Sequence, residues 1–411
     1  MKRILIITAL IFSLSTLWAQ KGCTDANAIN YNMKANINDG SCVYEPLILQ
    51  PTEYVSELPG TVNETSGIIV FNNAIWTHND SGGEPAIFKL DFNTGELLQT
   101  IRLTNVVNHD IEDITQDDHY IYLGDFGNNY GIRKDLVIHK IAKSSIPPSG
   151  DAEVDSSPIY FSFADQTIFE KKNRSNNFDC EALVATDQYL YLFSKNWVDG
   201  HTKCYRLPKE PGTHTAEIYS KFDTRGLVTG ADYNKTSGSI VLVGYENFLP
   251  IVWMMWDFDG ENFFNGNKRR ADFPYIQGAQ TEGISFVNDS IVVISSEDSF
   301  FPPRLYQLNL NQIIKAPKSN SEGFKPFKIS PEFDIKEKKL ILCIEGLTAP
   351  SFDIEIYNMS WQKMNQYSFV KPDFQKAVQI EISSESLTKG LYFIRIKQGV
   401  NIGFQKAYLS E

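Results

Sequence analysis

The chain has 411 residues, of which 42% are hydrophobic and 13% aromatic, and a formal net charge of −12. That length holds about two to four domains, and the composition excludes a disordered chain. The acidic balance, with no basic stripe beyond Lys268-Arg269-Arg270, excludes nucleic acid as the partner and suits solubility or affinity for cations.

The first predicted element is a leader. Lys2 and Arg3 precede an apolar run from Ile4 to Trp18, and Ala19 is a small residue suited to cleavage before Gln20. Residues 1–19 therefore read as a signal peptide. The run, about 15 residues, is short for a membrane span. No later run replaces it, so no transmembrane segment is expected in the mature protein. Five cysteines then face an oxidising setting, and the odd count leaves at least one unpaired within the chain.

Residues 20–46 are rich in Asn, Asp and Gly, and Cys23 and Cys42 bracket them. A disulfide between the two would staple a segment too small to build its own core. The stretch "GCTDANAINYNMKANINDGSCVY" resembles a short module of exported proteins in bacteria with type IX secretion. Cys23, Asp25, Asn30, Tyr31, Asn32, Asp39, Gly40 and Cys42 fit that module, while Ala26 and Met33 replace its prolines. Asp25 and Asp39 read as solvated turn residues ahead of Ca²⁺ ligands.

Residues 50–315 repeat. "ETSGIIVFNNAIWTHNDSGG" begins at Glu64, "EDITQDDHYIYLGDFGNN" at Glu112, "EALVATDQYLYLFSKNW" at Glu181, "DYNKTSGSIVLVGYEN" at Asp232 and "EGISFVNDSIVVISSED" at Glu282. Each has an acid, a short apolar strand, a polar turn and a second apolar strand. Outer strands such as "AIFKLDF" and "LLQTIRL" follow. A period of about 50 residues with four short strands is a propeller blade. The last repeat has only "RLYQLNL" after its inner pair, so "EYVSELP", Glu53 to Pro59, is expected to complete it from the other end and close the ring. The predicted fold is all-β: a five-bladed β-propeller, or a six-bladed one if the longer interval from Glu112 to Glu181 hides a blade. A linker at 316–324 and a small C-terminal β-sandwich follow.

That sandwich is read from residues 325–411, where apolar and polar residues alternate between turn signals. The region resembles the C-terminal sorting domain of type IX secretion substrates, most specifically in "LTKGLYFIRI", Leu387 to Ile396, and in the basic terminal segment at Lys406. Ser330-Pro331 and Ser360-Trp361 depart from the family pattern. The resemblance implies the type IX secretion machinery as partner, passage to the cell surface or medium, and then removal of the domain with anchoring or release.

Propeller topology would gather the acids that start the repeats at one channel mouth. Glu64, Glu112, Glu181, Asp232 and Glu282 are therefore the candidate metal ligands, with Asp110, Asp113 and Asp179 adding carboxylate. Converging carboxylates need protons, basic partners or a cation, and an all-oxygen inventory suits Ca²⁺. No Cys/His spacing fits zinc. The competing reading is that these acids only cap neighbouring strands. Loops around the mouth supply candidate ligand-binding residues: Asn79, Asp80, Asp125, Asn128, Arg133, Lys195, Tyr245 and Glu297. Trp76, Phe126, Trp197, Tyr245 and Phe300 are candidate platforms for a glycan, peptide or small-molecule ligand.

The motifs "ETSG", "THNDSGG", "DIEDI", "GDFGNN", "DCEAL", "TGAD" and "TEGIS" together resemble secreted bacterial propellers of the lactonase, gluconolactonase and phytase-esterase style. They also resemble calcium-activated nucleotidases, whose ring carries Ca²⁺ at its centre. The resemblance implies the fold more than the activity, but a central cation that polarises a substrate oxygen or activates water would allow a second function, Ca²⁺-dependent hydrolysis of an ester, lactone or phosphate. His78 would then be the general base, Glu112 and Glu181 would stand beside the metal, and Arg133, Lys195 and Arg304 would neutralise an anionic substrate. Ser66 and Ser81 sit in no nucleophile elbow. Whether the chain is a binding protein or an enzyme stays open at this point.

Overall fold

Apolar residues dominate runs of six to eight residues broken by Gly, Asn and Asp, so the chain folds into short strands and tight turns. The computed structural model describes residues 19–299, 301–316, 328–334, 336–347, 351–358, 363–370, 377–398 and 401–409. Most of the expected signal peptide and linker, and Phe300, lie outside the described residues.

Four-stranded antiparallel groups fill the central region. The first is Thr65–Phe71, Ala74–Asn79, Ala86–Asp91 and Leu97–Leu103. The second is Ile111–Gln116, Tyr120–Asp125, Val137–Ala142 and Ser157–Phe163. The third is Cys180–Ala185, Tyr189–Ser194, Thr202–Pro208 and Gly212–Phe222. The fourth is Leu227–Asn234, Ser239–Glu246, Leu249–Trp256 and Asn267–Asp272. The last has Thr281–Phe286, Ile291–Ser296 and Arg304–Asn309, and Thr52–Val55 adds its outer strand, as the "EYVSELP" reading anticipated.

The first strand of each group touches the first strand of the next, and Thr281–Phe286 returns to Thr65–Phe71. The arrangement is a propeller-like ring. The long interval from Glu112 to Glu181 holds Ala152–Val154, which pairs in parallel with Leu97–Leu103 of the preceding group, and long loops.

The core is divided among the seams between groups. Ile69, Trp76, Ile111 and Ile121 fill one; Tyr122, Phe161, Leu183 and Tyr205 fill the next. Val184, Tyr191, Val228 and Leu242 fill a third. Val243, Ile284 and Tyr306 pack another, and Ile68, Phe88, Val293 and Leu305 pack the seam at the closure. Burying such a side chain contributes about 1.5–3 kcal/mol, so each group is stable only against its neighbours.

Every first strand carries a register shift near its start: at Thr65/Ile68, opposite Gly124/Asp125, at Cys180/Ala182, at Val228/Gly230 and at Thr281/Ile284. A bulge re-aims one side chain and bends the strand. Gly67 follows the bulged Ser66 because a methyl there would overlap Asp113 Oδ1 and the Ile114 nitrogen. Gly230 is held to glycine by the Glu282 carbonyl in the same way.

Cys23 and Cys42 form the expected disulfide, while Cys180, Cys204 and Cys343 are free. The bracketed segment docks on the fourth group: Leu47–Ile48 pairs with Ala271–Asp272, and Lys268 donates to the Gly40 carbonyl. Residues 328–409 form two antiparallel sheets. One is Lys328–Asp334, Lys339–Glu345 and Ala377–Ser383; the other is Lys363–Val370, Ser351–Tyr357, Gly390–Gln398 and Asn401–Leu409. Leu340, Leu342, Ile354, Ile394 and Ile396 from both belong to one apolar cluster. Among the described residues no helix is long and apolar enough to cross a membrane.

Candidate functional site

The bulges aim Ser66, Glu112, Glu181, Thr229 and Glu282 inward. Two of these side chains tie the ring together. Ser66 Oγ donates to the Glu112 carbonyl at 2.6 Å, and Thr229 Oγ1 to the Thr281 carbonyl at 2.7 Å. Glu112, Glu181 and Glu282 instead line a cavity of about 320 Å³, together with Asp80, Lys195, Trp197, Tyr245 and Glu297.

This corrects the five-acid ring read from the sequence. Glu64 lies one residue before its strand, with its side chain exposed. Asp232 lies three residues past the bulged Thr229 and caps the neighbouring strand. Its carboxylate accepts from Phe286 N at 2.8 Å, Ser285 Oγ at 3.0 Å and Tyr233 N at 2.8 Å. Asp113 does the same for Leu183 N and Ile114 N, at 2.7 and 2.8 Å. The strand-capping reading holds for these two acids, and backbone N–H groups take up the oxygens they would offer a metal.

One wall of the cavity carries its own cation. Lys195 Nζ pairs with Glu181, and both are buried. The ammonium also lies 5.0 Å from the Trp197 ring centre and 5.3 Å from that of Tyr245. Burial works against its charge, but Glu181, Tyr245, Glu282 and Asp179 outweigh it and hold Lys195 well above its ordinary value. Asp179 is fixed by Trp197 Nε1 and Asn128 N, each at 2.6 Å. Burial pushes Glu282 up to about 7 against the pull of Lys195. Glu297 is raised well above the carboxylate range by burial and by Glu282.

The acids next to Glu181 have no such partner: Glu112 also offers an oxygen within 4.8 Å of those of Asp179 and Glu181, and Asp110 lies outside the cavity lining. Asp80, Asp110 and Glu112 each offer an oxygen, all within 4.8 Å of one another. Among the described residues no Lys or Arg ion pair reaches any of them. Arg133, the nearest candidate from sequence, is taken by Asp125 at 2.7 Å and Asp135 at 3.1 Å. Burial, then Asp80 and Asp179, pushes Asp110 up to about 7. Burial, then Asp80 and Glu181, raises Glu112 well above its ordinary value. Gly127 packs so closely that a methyl on it would overlap Glu112 Oε1 and Asp110 Oδ2. Asn129 lines the cavity, and its Oδ1 is buried without a hydrogen-bond partner among the described residues. The three carboxylates are an all-oxygen donor set of the kind that fits a hard cation such as Ca²⁺.

Other sequence candidates have structural work. His78 is fully buried; Gly67 N donates to its Nε2 at 3.1 Å, and its Nδ1 lies 3.0 Å from the Asn79 carbonyl. Burial lowers its pKa to about 4. It props the first bulge and has no lone pair free for a substrate proton, which corrects its placement as general base. Asp125 accepts from His109 N and Asp110 N, so it shapes the loop that carries Asp110. Asn128 bonds Arg133 N and the Phe178 carbonyl, and Asn79 Nδ2 bonds the Thr61 carbonyl. Arg304 pairs with Glu53 on the closing strand. Trp76 and Phe126 are core; Trp197 and Tyr245 do line the cavity. Sequence reasoning missed Arg174, which lies over the Trp197 ring at 5.3 Å, and also Gln280 and Phe248. Only the loop positions of these three could have hinted at them.

The C-terminal pairing of strands around "LTKGLYFIRI" decides the export route. Residues 337–409 match the secretion system C-terminal sorting domain. The protein is therefore exported, to the cell surface or the medium, and its sorting tail engages the secretion machinery. No curated protein matches the sequence. Among solved structures, the chain is similar to Kuenenia stuttgartiensis hydrazine synthase at 10% identity and a TM-score of 0.31, over 56% of this chain and 64% of that one. It is thus similar over less than two thirds of that neighbour's length. It is also similar to the WD40 domain of Toxoplasma gondii coronin, at 10% identity and a TM-score of 0.27, over 88% and 84% of the two chains. A quinonprotein alcohol dehydrogenase-like protein from Bacteroides thetaiotaomicron gives 12% and 0.30, over 78% and 68%.

Proposed function

We propose that this exported chain is a five-bladed β-propeller, followed by a C-terminal β-sandwich, that binds Ca²⁺ and a small hydroxylated ligand such as a glycan end in its axial cavity. The cyclic contact of the first strands and the closing strand Thr52–Val55 support the blade count. One observation carries the site: Lys195 pairs with Glu181, while Asp80, Asp110 and Glu112 crowd together beside that pair without an ion pair of their own among the described residues. A cation there would offset the burial, and then the repulsion from neighbouring carboxylates, that raise Asp110 and Glu112. Trp197 and Tyr245 would give the ligand an aromatic wall beside it, and Arg174 a donor at the rim.

The test is thermal unfolding of the full chain in Ca²⁺ and in chelator. Ca²⁺ at a hundredfold its dissociation constant adds about 2.7 kcal/mol to the folded state, so the midpoint should rise by several degrees. Asp110→Asn with Glu112→Gln should remove the rise. An unchanged midpoint in the wild type would sink the cation reading.

A second reading, a hydrolase of esters, lactones or phosphates, is supported by Glu282 being raised to about 7, the range of a general acid–base group near neutral pH. A bound cation would polarise the substrate oxygen; Glu282 would hold or release the proton, and Lys195 would fix the orientation of Glu181. Ca²⁺-dependent turnover of a panel of lactones, aryl esters and nucleotides that Glu282→Gln abolishes would favour it. No turnover by folded, Ca²⁺-loaded protein would eliminate it for those substrates.

A further inference from the structure

The hairpin between Ser239–Glu246 and Leu249–Trp256 turns on two residues, Asn247 and Phe248. Both have positive φ, 50° and 63°. Such a turn favours Asn-Gly, because two residues must take the left-handed conformation. Asn247 suits its place. Phe248 does not: a bulky residue there is an outlier that persists only when its surroundings hold it.

Its surroundings are the axial cavity on one side and the sorting region on the other. Phe248 lines the cavity and stacks on Tyr245, with ring centres 6.3 Å apart and planes 6° from parallel. Its other flank meets Phe393 at 5.3 Å, edge to face at 81°. In the strand Gly390–Gln398, Tyr392, Ile394 and Ile396 enter the apolar cluster shared by the two C-terminal sheets, which leaves Phe393 on the outer face. Tyr357 is its register partner on that face. Both are nevertheless buried, in a small separate cluster packed by Phe248 and Leu391. The segment Pro274–Ile276 also touches Asn401–Leu409. The outer face of the sorting region is thus seated against the Phe248 hairpin at the cavity mouth, while the lining itself comes from the ring.

We propose that the sorting region is a lid on the axial cavity, held there by Phe248. While Phe393, Tyr357 and Leu391 grip that ring, passage in and out of the cavity is slow. Displacing the sorting region frees the hairpin and opens the mouth. This rests on the reading that the cavity takes a ligand, but the grip itself is independent of that reading.

The test uses the full chain, as wild type, Phe393→Ala and Phe248→Gly. The glycine variant keeps the turn in its preferred chemistry, so it folds even if the alanine variant is compromised. Amide hydrogen exchange over residues 245–249 reads the grip, and stopped-flow luminescence of Tb³⁺, sensitised by Trp197, reads entry. Both variants should exchange faster at 245–249. Tb³⁺ association and dissociation should both accelerate by about tenfold, and in Phe393→Ala, which leaves the cavity lining intact, equilibrium affinity should change by less than about threefold, because a lid gates rates and not the bound state. Faster exchange with unchanged Tb³⁺ rates overturns the lid, as does unchanged exchange in both variants. If Tb³⁺ binds no form of the protein, the cation reading fails, and the exchange arm alone decides the grip: loss of protection in both variants supports it.

Discussion

Asp232 and Glu282 open two repeats about fifty residues apart, yet they do opposite things. Asp232 sits past a bulge and gives its oxygens to the backbone and hydroxyl of the next group. Glu282 is the bulged residue and turns its oxygens into the cavity. Asp113 and Glu112 repeat the contrast side by side in one strand: Asp113 holds Leu183 N of the neighbour, and Glu112 faces Asp80 and Asp110. One residue past the bulge, as at Asp113, or three, as at Asp232, an acid builds the ring; at the bulge it is left for a ligand. A buried carboxylate that accepts two or three hydrogen bonds stabilises a fold; one that faces other carboxylates costs stability until something binds.

Breaking the building acids gives the largest effect. Asp232→Ala leaves three donors without their acceptor, and each orphaned buried donor costs about 1–3 kcal/mol. We expect a loss of about 3–5 kcal/mol in urea unfolding, and a similar loss for Asp113→Ala. Glu282→Gln should lose less than about 0.5 kcal/mol, or gain stability, because it removes a charge from a crowded cavity. A Asp232→Ala protein within about 1 kcal/mol of wild type would erase the contrast.

Lys195 tests the cavity side. Lys195→Met leaves Glu181 buried without its cation, which costs about 3–5 kcal/mol when a buried pair is broken. Adding Glu181→Gln should return most of that, because the unpaired charge is what costs. If the double variant is as unstable as the single one, Lys195 acts through packing on Trp197 and Tyr245.

The pH dependence comes next in size. Glu282 is raised to about 7 from an ordinary 4.5 by burial, then opposed by Lys195 and Arg174 and reinforced by Asp80. A carboxyl raised in the folded state keeps its proton where the unfolded chain has lost it. Without added cation, the Glu282 contribution to stability therefore falls as pH rises from about 4.5 to about 7 and is constant above that. At 1.36 kcal/mol per pH unit the decline from Glu282 is at most about 3 kcal/mol. Glu181 and Glu297 shift in the same direction and steepen it. Glu282→Gln should make the decline between about pH 5 and 7 shallower, with Asp110, also raised to about 7, keeping part of it, measured as urea midpoints across the range.

The fold was largely legible in the sequence, because period-2 alternation and a repeat of about fifty residues are written in residue types. The closing strand was legible from what the last repeat lacked. The site was legible only as a neighbourhood. Glu112, Glu181, Glu282, Lys195 and Tyr245 do converge, but Glu64 and Asp232 share only the acid and the repeat spacing with them, not the bulged position. Bulges shift the facing of a strand without changing its pattern of residue types, so the bulged position of each first strand hid Ser66 and Thr229 among the acids. Phe248 was invisible for another reason: its role depends on backbone φ and on a contact with Phe393, almost 150 residues later in the chain.

His78 gives the smallest and most specific test of the same distinction. As a polar residue in a loop-like motif it reads as chemistry, but its ring supports the Gly67 bulge from behind and lies outside the cavity lining. His78→Leu removes one acceptor from one buried N–H, so stability should fall by about 1–3 kcal/mol. The Ca²⁺-dependent rise in midpoint should survive at its full size, since the bulge aims Ser66 and none of the three clustered acids. If the fall in stability is absent while the cation response disappears, His78 belongs to the site and not to its support. The line between acids that build and acids that bind would then have to be drawn one strand further out.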